Sequence, residues 1–477
     1  MKLKDLLNGV DVLSLSANPE SEINDISNDS RKVKPGGLFV AIPGFVEDGA
    51  IYIDNAIEAG ATVVVSESAR ETTAGFVLVK NARAALSRIA ANFYGNPSEK
   101  MTVVGITGTN GKTTTAYLIK DLLEHCLDTP CGLIGTNEVI IGDEVIEASR
   151  TTPESIEIQA ILRKMLDKGI KHAVMEVSSH ALKLHRVDDV QYDVGVFTNL
   201  TQDHLDFHDS MEDYLKSKSL LFQRCRRGVI NLDDHSANYI IESANCEIYT
   251  YSAKDMSADL VARNIRYSPS KVEFEALGIE EIYRGELNIP GRFSVYNGLA
   301  AISTAITLGV PLVKAADSLR YCRGVKGRAE VVPTGRDFTV IIDYAHTPDG
   351  LENILQTLRE FVKGRLITVF GCGGDRDRKK RPIMGSMAEK YSDICVVTSD
   401  NPRTEDPEDI ISDILQGMTK KDKQVIIPNR VEAIGYAIKN ARAGDVILLA
   451  GKGHETYQEI NGVKYPMDER EIVRKHL

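Results

Sequence analysis

Residues 105–115 read Gly-Ile-Thr-Gly-Thr-Asn-Gly-Lys-Thr-Thr-Thr, and this stretch decides the fold class of the middle of the chain. An apolar, β-type run over 101–106 precedes it, and the helical pattern that follows places four apolar residues on one face: Leu118, Ile119, Leu122 and Leu123. Strand, glycine-rich loop, Lys-Thr and helix is the order of a loop whose backbone N–H groups surround phosphate oxygens. The sequence therefore predicts a nucleoside triphosphate site; a plain glycine turn between a buried strand and a helix is the alternative.

The residues of this loop have separate expected roles. Lys112 is expected to reach the β- and γ-phosphates of ATP, and the Thr113 hydroxyl to bind Mg²⁺. The remaining ATP-binding residues are small or polar: Gly108, Thr109, Asn110, Gly111 and Thr114. The usual spacing places the first glycine at position 106, where this chain has Ile106, and the nearest upstream glycine is Gly105.

Composition narrows the class of protein. A chain of 477 residues is long enough for about three domains, and 43% hydrophobic with 26% charged residues is typical of a soluble globular protein. A net charge of −11 argues against general binding of nucleic acid or anionic membranes. No run is long enough to span a membrane, the first residues lack the apolar core of a signal peptide, and the 7 cysteines are scattered. We expect a cytoplasmic protein with free thiols and no membrane insertion.

Strand and helix patterns divide the chain into three α/β segments. Residues 1–98 mix short strands and helices and end in a turn-rich joint over 94–97. Residues 99–329 contain the glycine-rich loop, and alternating strands and helices there predict a parallel sheet. Residues 330–477 predict a second, Rossmann-like α/β unit with strands at 339–343, 366–370, 394–398 and 446–450.

Polar residues follow two predicted strands of the central segment, where open α/β sheets place their ligands. Glu176 ends the first strand, and the second is followed by Asp203, His204, Asp206 and His208. Glu176 suits Mg²⁺, because the ion prefers hard oxygen ligands and an unpaired buried carboxylate is costly. His204 is a possible further metal ligand. The other three members of the group are equally well explained as helix caps or a solvated loop.

Several separated motifs together resemble the Mur ligase family, the cytoplasmic ATP-dependent amide ligases of peptidoglycan synthesis. They are Gly-Thr-Asn-Gly-Lys-Thr (108–113), Glu-Val-Ser-Ser-His (176–180), Thr-Asn-Leu…Asp-His-Leu-Asp (198–206) and Asp-Tyr-Ala-His-Thr-Pro (343–348). Residues 373–381 and 400–403 resemble the members that add meso-diaminopimelate to UDP-N-acetylmuramoyl-L-alanyl-D-glutamate. The resemblance implies a uridine-binding domain at 1–98, an ATP-binding domain at 99–329 and an amino-acid-binding domain at 330–477.

The resemblance also implies ligands. The substrates are the UDP-N-acetylmuramoyl-dipeptide and meso-diaminopimelate, the cofactors are ATP and two Mg²⁺ ions, and the protein is a monomer. Ser30 is the implied uridine contact, and the dipeptide is held by Thr151, Thr152, Ser178 and Arg186. Taken without the resemblance, these four positions suggest a β-turn, a helix cap and a surface charge. At position 50 the family commonly has a basic residue where this chain has Ala50.

Lys218 matches the lysine that the family carbamylates. An ammonium group repels Mg²⁺, whereas a carbamate supplies anionic oxygens, and its formation requires a partly desolvated amine. Taken alone, Lys218 would be a solvated helical lysine. The implied metal site is Thr113, Glu176, His204 and carbamylated Lys218, and the implied catalytic set is Lys112, Glu176, His204, Lys218 and Arg328.

The last segment carries the remaining implied contacts. Asn297 and Asp343 match adenosine-side positions, and Arg328 matches a residue that closes over the ATP phosphates; a cap or salt bridge at a domain joint is the alternative. Arg403 supplies a guanidinium that can grip the distal carboxylate of diaminopimelate with two hydrogen bonds. The other implied pocket residues are Arg376, Asp400, Asn401, Gly451 and Glu455. The Asp-Asn-Pro-Arg sequence also suits a plain turn.

Two other functions stay open at this point. A ligase of the same family that adds lysine, or that uses a folate-like acceptor, would share the phosphate loop and the last segment. An ATP-driven switch or binding protein without ligase chemistry is the second alternative. The uridine-like segment and Arg403 favour the diaminopimelate-adding ligase.

Overall fold

The computed structural model describes residues 1–44, 47–201, 207–279, 281–322 and 324–477. The chain forms two compact units, Met1–Asp259 with Ala300–Pro311, and Leu260–Leu299 with Leu312–Leu477. Both are built on parallel-rich sheets with helices, so the predicted α/β class is confirmed. The domain boundaries at residues 98 and 329 stay predictions. Among the described residues, no helix has both the length and the apolar character needed to cross a lipid bilayer.

The first unit begins with a five-stranded sheet. Its elements are α1 (Leu3–Leu6), β1 (Val12–Leu15), β2 (Ile26–Ser27), β3 (Gly37–Val40), α2 (Ile53–Glu58), β4 (Ala61–Ser66), β5 (Gly75–Val79) and α3 (Ala82–Phe93). The strand order is β1-β5-β4-β3-β2, and only β1 is antiparallel to its neighbour. Because side chains alternate along a strand, Val63 and Val65 join the apolar cluster that includes α3, whereas Val64 joins the cluster that includes α2.

A larger sheet follows in the same unit. Its elements are β6 (Thr102–Thr107), α4 (Lys112–Leu127), β7 (Cys131–Ile134), β8 (Glu138–Ile141), β9 (Glu144–Glu147), α5 (Ser155–Asp167), β10 (His172–Glu176), α6 (Ser179–Lys183), β11 (Tyr192–Phe197), α7 (Met211–Ser219), β12 (Cys225–Asn231), α8 (Ala237–Ser243) and β13 (Glu247–Ser252). The eight strands of this larger sheet that belong to the first unit run in the order β13-β12-β11-β6-β10-β7-β8-β9. The first six are parallel, and β8 and β9 continue the sheet as antiparallel strands.

The register of the central strands determines where the site lies. Glu176 of β10 pairs with Ile106 of β6, and Phe197 of β11 pairs with Thr107. The carboxyl ends of these three strands therefore meet at one edge of the sheet, where ligands bind in open α/β folds. Gly105 lies inside β6, and a Cβ there would meet the Tyr192 ring at 2.7 Å, so this glycine serves strand packing and not phosphate binding.

The second unit contains an antiparallel meander, a six-stranded sheet and a hairpin. Its elements are β14 (Leu260–Tyr267), β15 (Val272–Leu277), β16 (Ile282–Leu287), α9 (Arg292–Thr307, which continues into the first unit), α10 (Leu312–Ser318), β17 (Glu330–Val332), β18 (Thr339–Asp343), α11 (Pro348–Arg359), β19 (Leu366–Phe370), α12 (Lys380–Tyr391), β20 (Ile394–Val397), α13 (Pro407–Leu415), β21 (Gln424–Ile426), α14 (Arg430–Lys439), β22 (Val446–Ala450), β23 (Tyr457–Ile460), β24 (Val463–Pro466) and α15 (Glu469–His476).

The six-stranded sheet has the order β17-β18-β22-β19-β20-β21, and only β17 is antiparallel to its neighbour. Both faces are covered by helices. Ile341 packs in the cluster with Leu351 and Leu355 of α11, whereas Val340 packs in the opposite cluster with Ile434 of α14. Burial on both faces explains why these strands are continuous apolar runs in the sequence.

Candidate active site

The phosphate loop, which we define as residues 108–113, is held by the segment that follows β11. Thr109 donates its backbone N–H to the Asn199 carbonyl at 2.8 Å, and the Thr198 hydroxyl donates to the Asn110 carbonyl at 2.7 Å. Gly108 and Gly111 have φ of +148° and +82°, values that favour glycine. A Cβ on Gly108 would lie 2.0 Å from the Thr198 hydroxyl. The loop conformation therefore depends on glycine at position 108.

Gly108→Ala is expected to lower the free energy of unfolding by about 2–3 kcal/mol and to weaken ADP binding, because the new methyl group displaces Thr198 from the loop. Thermal unfolding and ADP titration measure the two effects. Gly169→Ala is the matched control, since Gly169 also has positive φ (+77°) but has open space around its Cβ. Equal destabilisation by the two substitutions would contradict the proposed steric role of Thr198.

The structure brings Lys112, Thr113 and Glu176 together at the edge of the sheet. Lys112 Nζ donates to the carbonyls of Gly108 and Thr109 at 3.0 and 2.9 Å. Thr113 Oγ1 donates to Glu176 Oε2 at 2.9 Å, and Glu176 is only 1% exposed. Thr136 completes the surroundings of this carboxylate through its backbone N–H at 2.8 Å from Oε1 and its hydroxyl at 3.0 Å from Oε2. Three hydrogen bonds thus orient the buried Glu176 side chain toward the start of α4.

The donor atoms at this point suit Mg²⁺. The Thr113 hydroxyl and the Glu176 carboxylate are hard oxygen ligands, and Mg²⁺ beside phosphates typically takes only one or two ligands from the protein. Within the described ranges no group of three or more His, Cys, Asp or Glu residues forms a metal cluster. The predicted ligand His204, with Asp203 and Asp206, lies outside the described residues.

Lys218 lies under the phosphate loop and is not solvated, being only 1% exposed. Its Nζ donates to the Gly108 carbonyl at 2.8 Å and lies 4.3 Å from the centre of the Tyr214 ring. The Tyr214 hydroxyl is in turn 3.3 Å from Thr109 Oγ1. The alternative of a solvated helical lysine is therefore wrong, and α7 brings this amine to the same carbonyl that Lys112 contacts.

His208 is buried between α6 and α7, contrary to the alternative of a solvated loop. Its Nε2 is 2.9 Å from Ser179 Oγ, and its Nδ1 is 3.0 Å from Asp213 Oδ2. Lys183 also donates to Asp213 Oδ2 at 2.6 Å. Burial lowers the pKa of His208 despite the neighbouring carboxylate, which favours the neutral imidazole. The sequence analysis did not single out Ser179, Lys183 or Asp213. The local indication for Asp213 was its position in the first turn of α7, shortly after His208.

The residues implied in dipeptide binding lie next to Glu176. The Thr152 hydroxyl donates to the Glu176 carbonyl at 2.9 Å and accepts from the Ser178 N–H at 3.0 Å. Arg186 donates to the Thr152 carbonyl at 3.3 Å and pairs with Glu154 at 2.9 Å. The Arg186 side chain is only 15% exposed, and this partial burial lowers the pKa of its guanidinium.

Thr151 and Ser30, the other residues implied in binding the UDP-N-acetylmuramoyl-dipeptide, lie in different surroundings. Thr151 joins the group through its hydroxyl, which lies 3.2 Å from Thr136 Oγ1. Ser30, the implied uridine contact, begins a short 3-10 turn in the region of the first sheet, where Asp29 is the N-cap. Ser178 also caps α6 by accepting from the Ala181 N–H at 3.2 Å, so the cap predicted from sequence is present.

In the second unit, Asp343 and Arg328 lie close together. Asp343, at the end of β18, accepts hydrogen bonds from the backbone N–H groups of Ala329 and Ala345 at 2.7 and 2.8 Å, and burial raises its pKa. The Arg328 guanidinium lies 5.0 Å from the Tyr344 ring centre, and its buried Nε has no hydrogen-bond partner among the described residues. Asn297 lies on α9.

Lys452 joins Asn401 and Glu455, two residues of the implied amino-acid pocket, into one hydrogen-bonded cluster. Lys452, which is fully buried, donates to Asn401 Oδ1 and Glu455 Oε2, both at 2.7 Å. Asn401 Nδ2 donates to the same Glu455 oxygen at 2.9 Å. The sequence analysis named Asn401 and Glu455 but missed Lys452, whose position directly after the pocket residue Gly451 was the available signal.

Arg403 is held rigidly beside this cluster. Its φ is +53°, its Nε pairs with Glu459 Oε2 at 3.1 Å, and its Nη1 donates to the Gly374 carbonyl at 2.8 Å. These contacts set the plane of the guanidinium and leave further N–H groups to bind a ligand. Arg376 is exposed on the neighbouring loop.

Asp400 and Gly451 are in close contact. A Cβ on Gly451 would lie 2.6 Å from Asp400 Oδ2, and that buried oxygen has no hydrogen-bond partner among the described residues. A polar ligand atom would satisfy an oxygen in this position.

Comparison with known proteins identifies the family. Family models match residues 22–94 (Mur ligase family, catalytic domain), 106–305 (Mur ligase middle domain) and 327–453 (Mur ligase, glutamate ligase domain). The UDP-N-acetylmuramoyl-L-alanyl-D-glutamate–2,6-diaminopimelate ligase of Caldanaerobacter subterraneus is 50% identical over 100% of this chain and 99% of its own length. That of Clostridioides difficile is 44% identical with the same coverage.

A solved structure agrees with these relatives. A UDP-N-acetylmuramoyl-L-alanyl-D-glutamate–2,6-diaminopimelate ligase superposes with a TM-score of 0.80 and 32% identity, covering 100% of this chain and 98% of that one. The family predicted from the motifs is thereby confirmed. Since the similarity extends over the whole chain, the protein belongs to the Mur ligase family.

Proposed function

We propose that this protein is an ATP-dependent ligase that joins meso-diaminopimelate to UDP-N-acetylmuramoyl-L-alanyl-D-glutamate, yielding ADP and phosphate. The observation that carries the proposal is the rigid Arg403 beside the Asn401–Lys452–Glu455 cluster. The full-length relatives named for the same reaction support it.

The first half of the reaction makes a reactive acyl group. The γ-carboxylate of D-glutamate attacks the γ-phosphorus of ATP, ADP leaves, and an acyl phosphate forms. Lys112 compensates the charge on the transferring phosphoryl group, and backbone N–H groups of the phosphate loop position it. Arg328 is proposed as a further phosphate contact, with Asn297 and Asp343 on the adenosine side.

Mg²⁺, when bound, would neutralise phosphate charge, and Thr113 and Glu176 are the described residues that would hold it. His204 and carbamylated Lys218 complete the proposed set of ligands for two ions. Thr151, Thr152, Ser178 and Arg186 are proposed to hold the muramoyl-dipeptide next to Glu176, and Ser30 to bind its uridine.

The second half forms the amide bond. The diaminopimelate amine attacks the acyl carbon, the tetrahedral intermediate expels phosphate, and the amine loses a proton. Lysine and diaminopimelate both present an amine, but only diaminopimelate carries a carboxylate at its far end. Arg403 selects for that carboxylate, because lysine offers no anion to the guanidinium N–H groups that do not contact Glu459 or Gly374. Arg376, Asp400, Asn401, Gly451 and Glu455 complete the proposed pocket.

Phosphate release measured with every combination of ATP, dipeptide acceptor and amine tests the reaction. The ligase requires all three, and we expect rapid turnover with meso-diaminopimelate and little with L-lysine. Equal turnover with L-lysine would favour a lysine-adding member of the family. Phosphate release without any amine would favour an ATP-driven binding protein.

Arg403→Met is expected to lower kcat/KM for meso-diaminopimelate about 100-fold or more and to leave the slow reaction with L-lysine nearly unchanged. Kinetics with both amino acids measure the ratio. The matched control is Arg474→Met, since Arg474 is exposed on the last helix and should keep wild-type selectivity. Unchanged selectivity in Arg403→Met would overturn the assignment of this arginine.

A further inference from the structure

Two cysteines of the first unit lie in contact at one edge of its larger sheet. Cys225 begins β12, and Cys246 directly precedes the neighbouring parallel strand β13. Their sulfur atoms are 3.6 Å apart. Because β12 and β11 begin at this edge and the phosphate loop follows the carboxyl end of β6, the pair lies at the edge opposite the phosphate loop.

The two thiols differ in access. Cys225 is buried, whereas Cys246 is partly exposed and lines a surface cavity of about 560 Å³. Arg226, Arg227 and Glu247 line the same cavity, and each arginine faces a carboxylate: Arg226 pairs with Asp193 at 3.1 Å, and Arg227 lies 3.8 Å from Glu247. The hydrogen bond from the Cys225 thiol lowers the pKa of Cys246 and raises that of Cys225. Cys246 is therefore the thiol that a reagent in the cavity meets first.

Glycines make room for both sulfur atoms. A Cβ on Gly195 would lie 2.9 Å from the Cys225 sulfur, and a Cβ on Gly228 would lie 3.2 Å from the Cys246 sulfur. A covalent sulfur–sulfur bond is about 2 Å long, so the pair must approach by more than 1 Å. The short turn between α7 and β12 and the loop before β13 can supply that movement, since each sulfur belongs to the first residue of a strand or the residue before it.

We propose that Cys246 and Cys225 form an oxidisable dithiol that reacts with small disulfides. The Cys246 thiolate attacks one sulfur of the reagent, giving a mixed disulfide and releasing one thiolate. Cys225 then loses its proton, attacks the Cys246 sulfur and expels the second thiolate. The protein loses two hydrogens, and the reagent is reduced to two thiols.

The test uses the full chain and 5,5′-dithiobis(2-nitrobenzoate), an anionic disulfide whose released thiolate is coloured. We expect a fast phase that releases two thiolates per chain and leaves no reagent attached, with residues 225 and 246 cross-linked in the peptide map. Cys225→Ser should release one thiolate in that phase and retain the adduct on Cys246, because the resolving thiol is missing. Cys246→Ser should lose the fast phase.

Cys322→Ser is the matched control, since it removes a buried cysteine of the other unit and should leave the fast phase unchanged. The cross-link should raise the thermal midpoint by several degrees, because it closes the loop between residues 225 and 246, and a reducing agent should reverse the rise. A wild-type chain that retains the adduct, or a fast phase that survives Cys246→Ser, would overturn the proposal. Neither readout depends on ligase activity, so this outcome is independent of the proposed function.

Discussion

Lys112→Ala is expected to reduce ATP-dependent amide formation about 1,000-fold or more while the chain remains folded. The loss follows from the position of Lys112 at the start of α4, because its ammonium group is the side-chain cation that the phosphate loop carries. In the structure its Nζ contacts two carbonyls of the loop, and loss of such hydrogen bonds costs about 1 kcal/mol each in stability. Product formation and thermal unfolding separate the two effects.

Lys120→Ala is the matched control on the same helix, because Lys120 pairs with Glu124 at 2.7 Å and takes no part in the loop. We expect it to retain turnover and to lower the free energy of unfolding by about 1–2 kcal/mol, since the Lys120 side chain is only 12% exposed and loses its hydrogen bond to Glu124. Substantial ligase activity in Lys112→Ala would refute the assignment of the phosphate loop. A folded but inactive Lys120→Ala would show that α4 as a whole, and not the cation, controls the rate.

Lys218→Met is expected to lower turnover about 100-fold or more without lowering the free energy of unfolding. A methionine fills nearly the same volume, and removing a buried charge avoids its desolvation cost. The Gly108 carbonyl keeps its hydrogen bond from Lys112, so it is not left unsatisfied. Turnover, KM for ATP and denaturant unfolding should be measured together, since a purely structural lysine would move stability and turnover in parallel.

Lys216→Met provides the comparison for this substitution. Lys216 lies two residues earlier on α7 and is exposed, so its replacement should change neither turnover nor stability. Near-wild-type turnover in Lys218→Met would exclude the carbamate as a required metal ligand. Mass measurement of the intact wild-type chain at high bicarbonate, with Lys218→Met as the reference, tests the modification itself.

Local patterns predicted most of the fold because the buried strands are strongly apolar. The strands expected at 339–343, 366–370 and 446–450 have those bounds in the structure, and the strand expected at 394–398 ends one residue earlier. Glu176 and Lys112 were predictable for a related reason. Glu176 is the last residue of β10, and Lys112 is the first residue of α4. At such junctions a polar residue after an apolar run indicates a ligand site.

Tertiary contacts decided what the sequence could not predict. The charged and polar residues around Lys218 are typical of a solvated helix, whereas its burial depends on tertiary contacts such as that with Gly108, 110 residues away in the sequence. His208 is buried for a similar reason, through Ser179 and Asp213 on two different helices. Lys452 looked like one more residue of a glycine-rich loop, and its hydrogen bond to Asn401 depends on the loop after β20, which is 51 residues away in the sequence. The periodic pattern of apolar residues along the chain does not predict these long-range contacts.

The Gly108 carbonyl accepts hydrogen bonds from two ammonium groups, those of Lys112 and Lys218. Two like charges that share one acceptor raise each other's free energy, and an arriving anion relieves that repulsion. Converting the Lys218 amine to a carbamate would remove one of the two positive charges at the Gly108 carbonyl. The free energy needed to move the Lys112 ammonium group from this carbonyl to a bound nucleotide would then change. Nucleotide affinity and the chemical state of Lys218 are therefore thermodynamically linked, and each must shift the equilibrium of the other by the same factor.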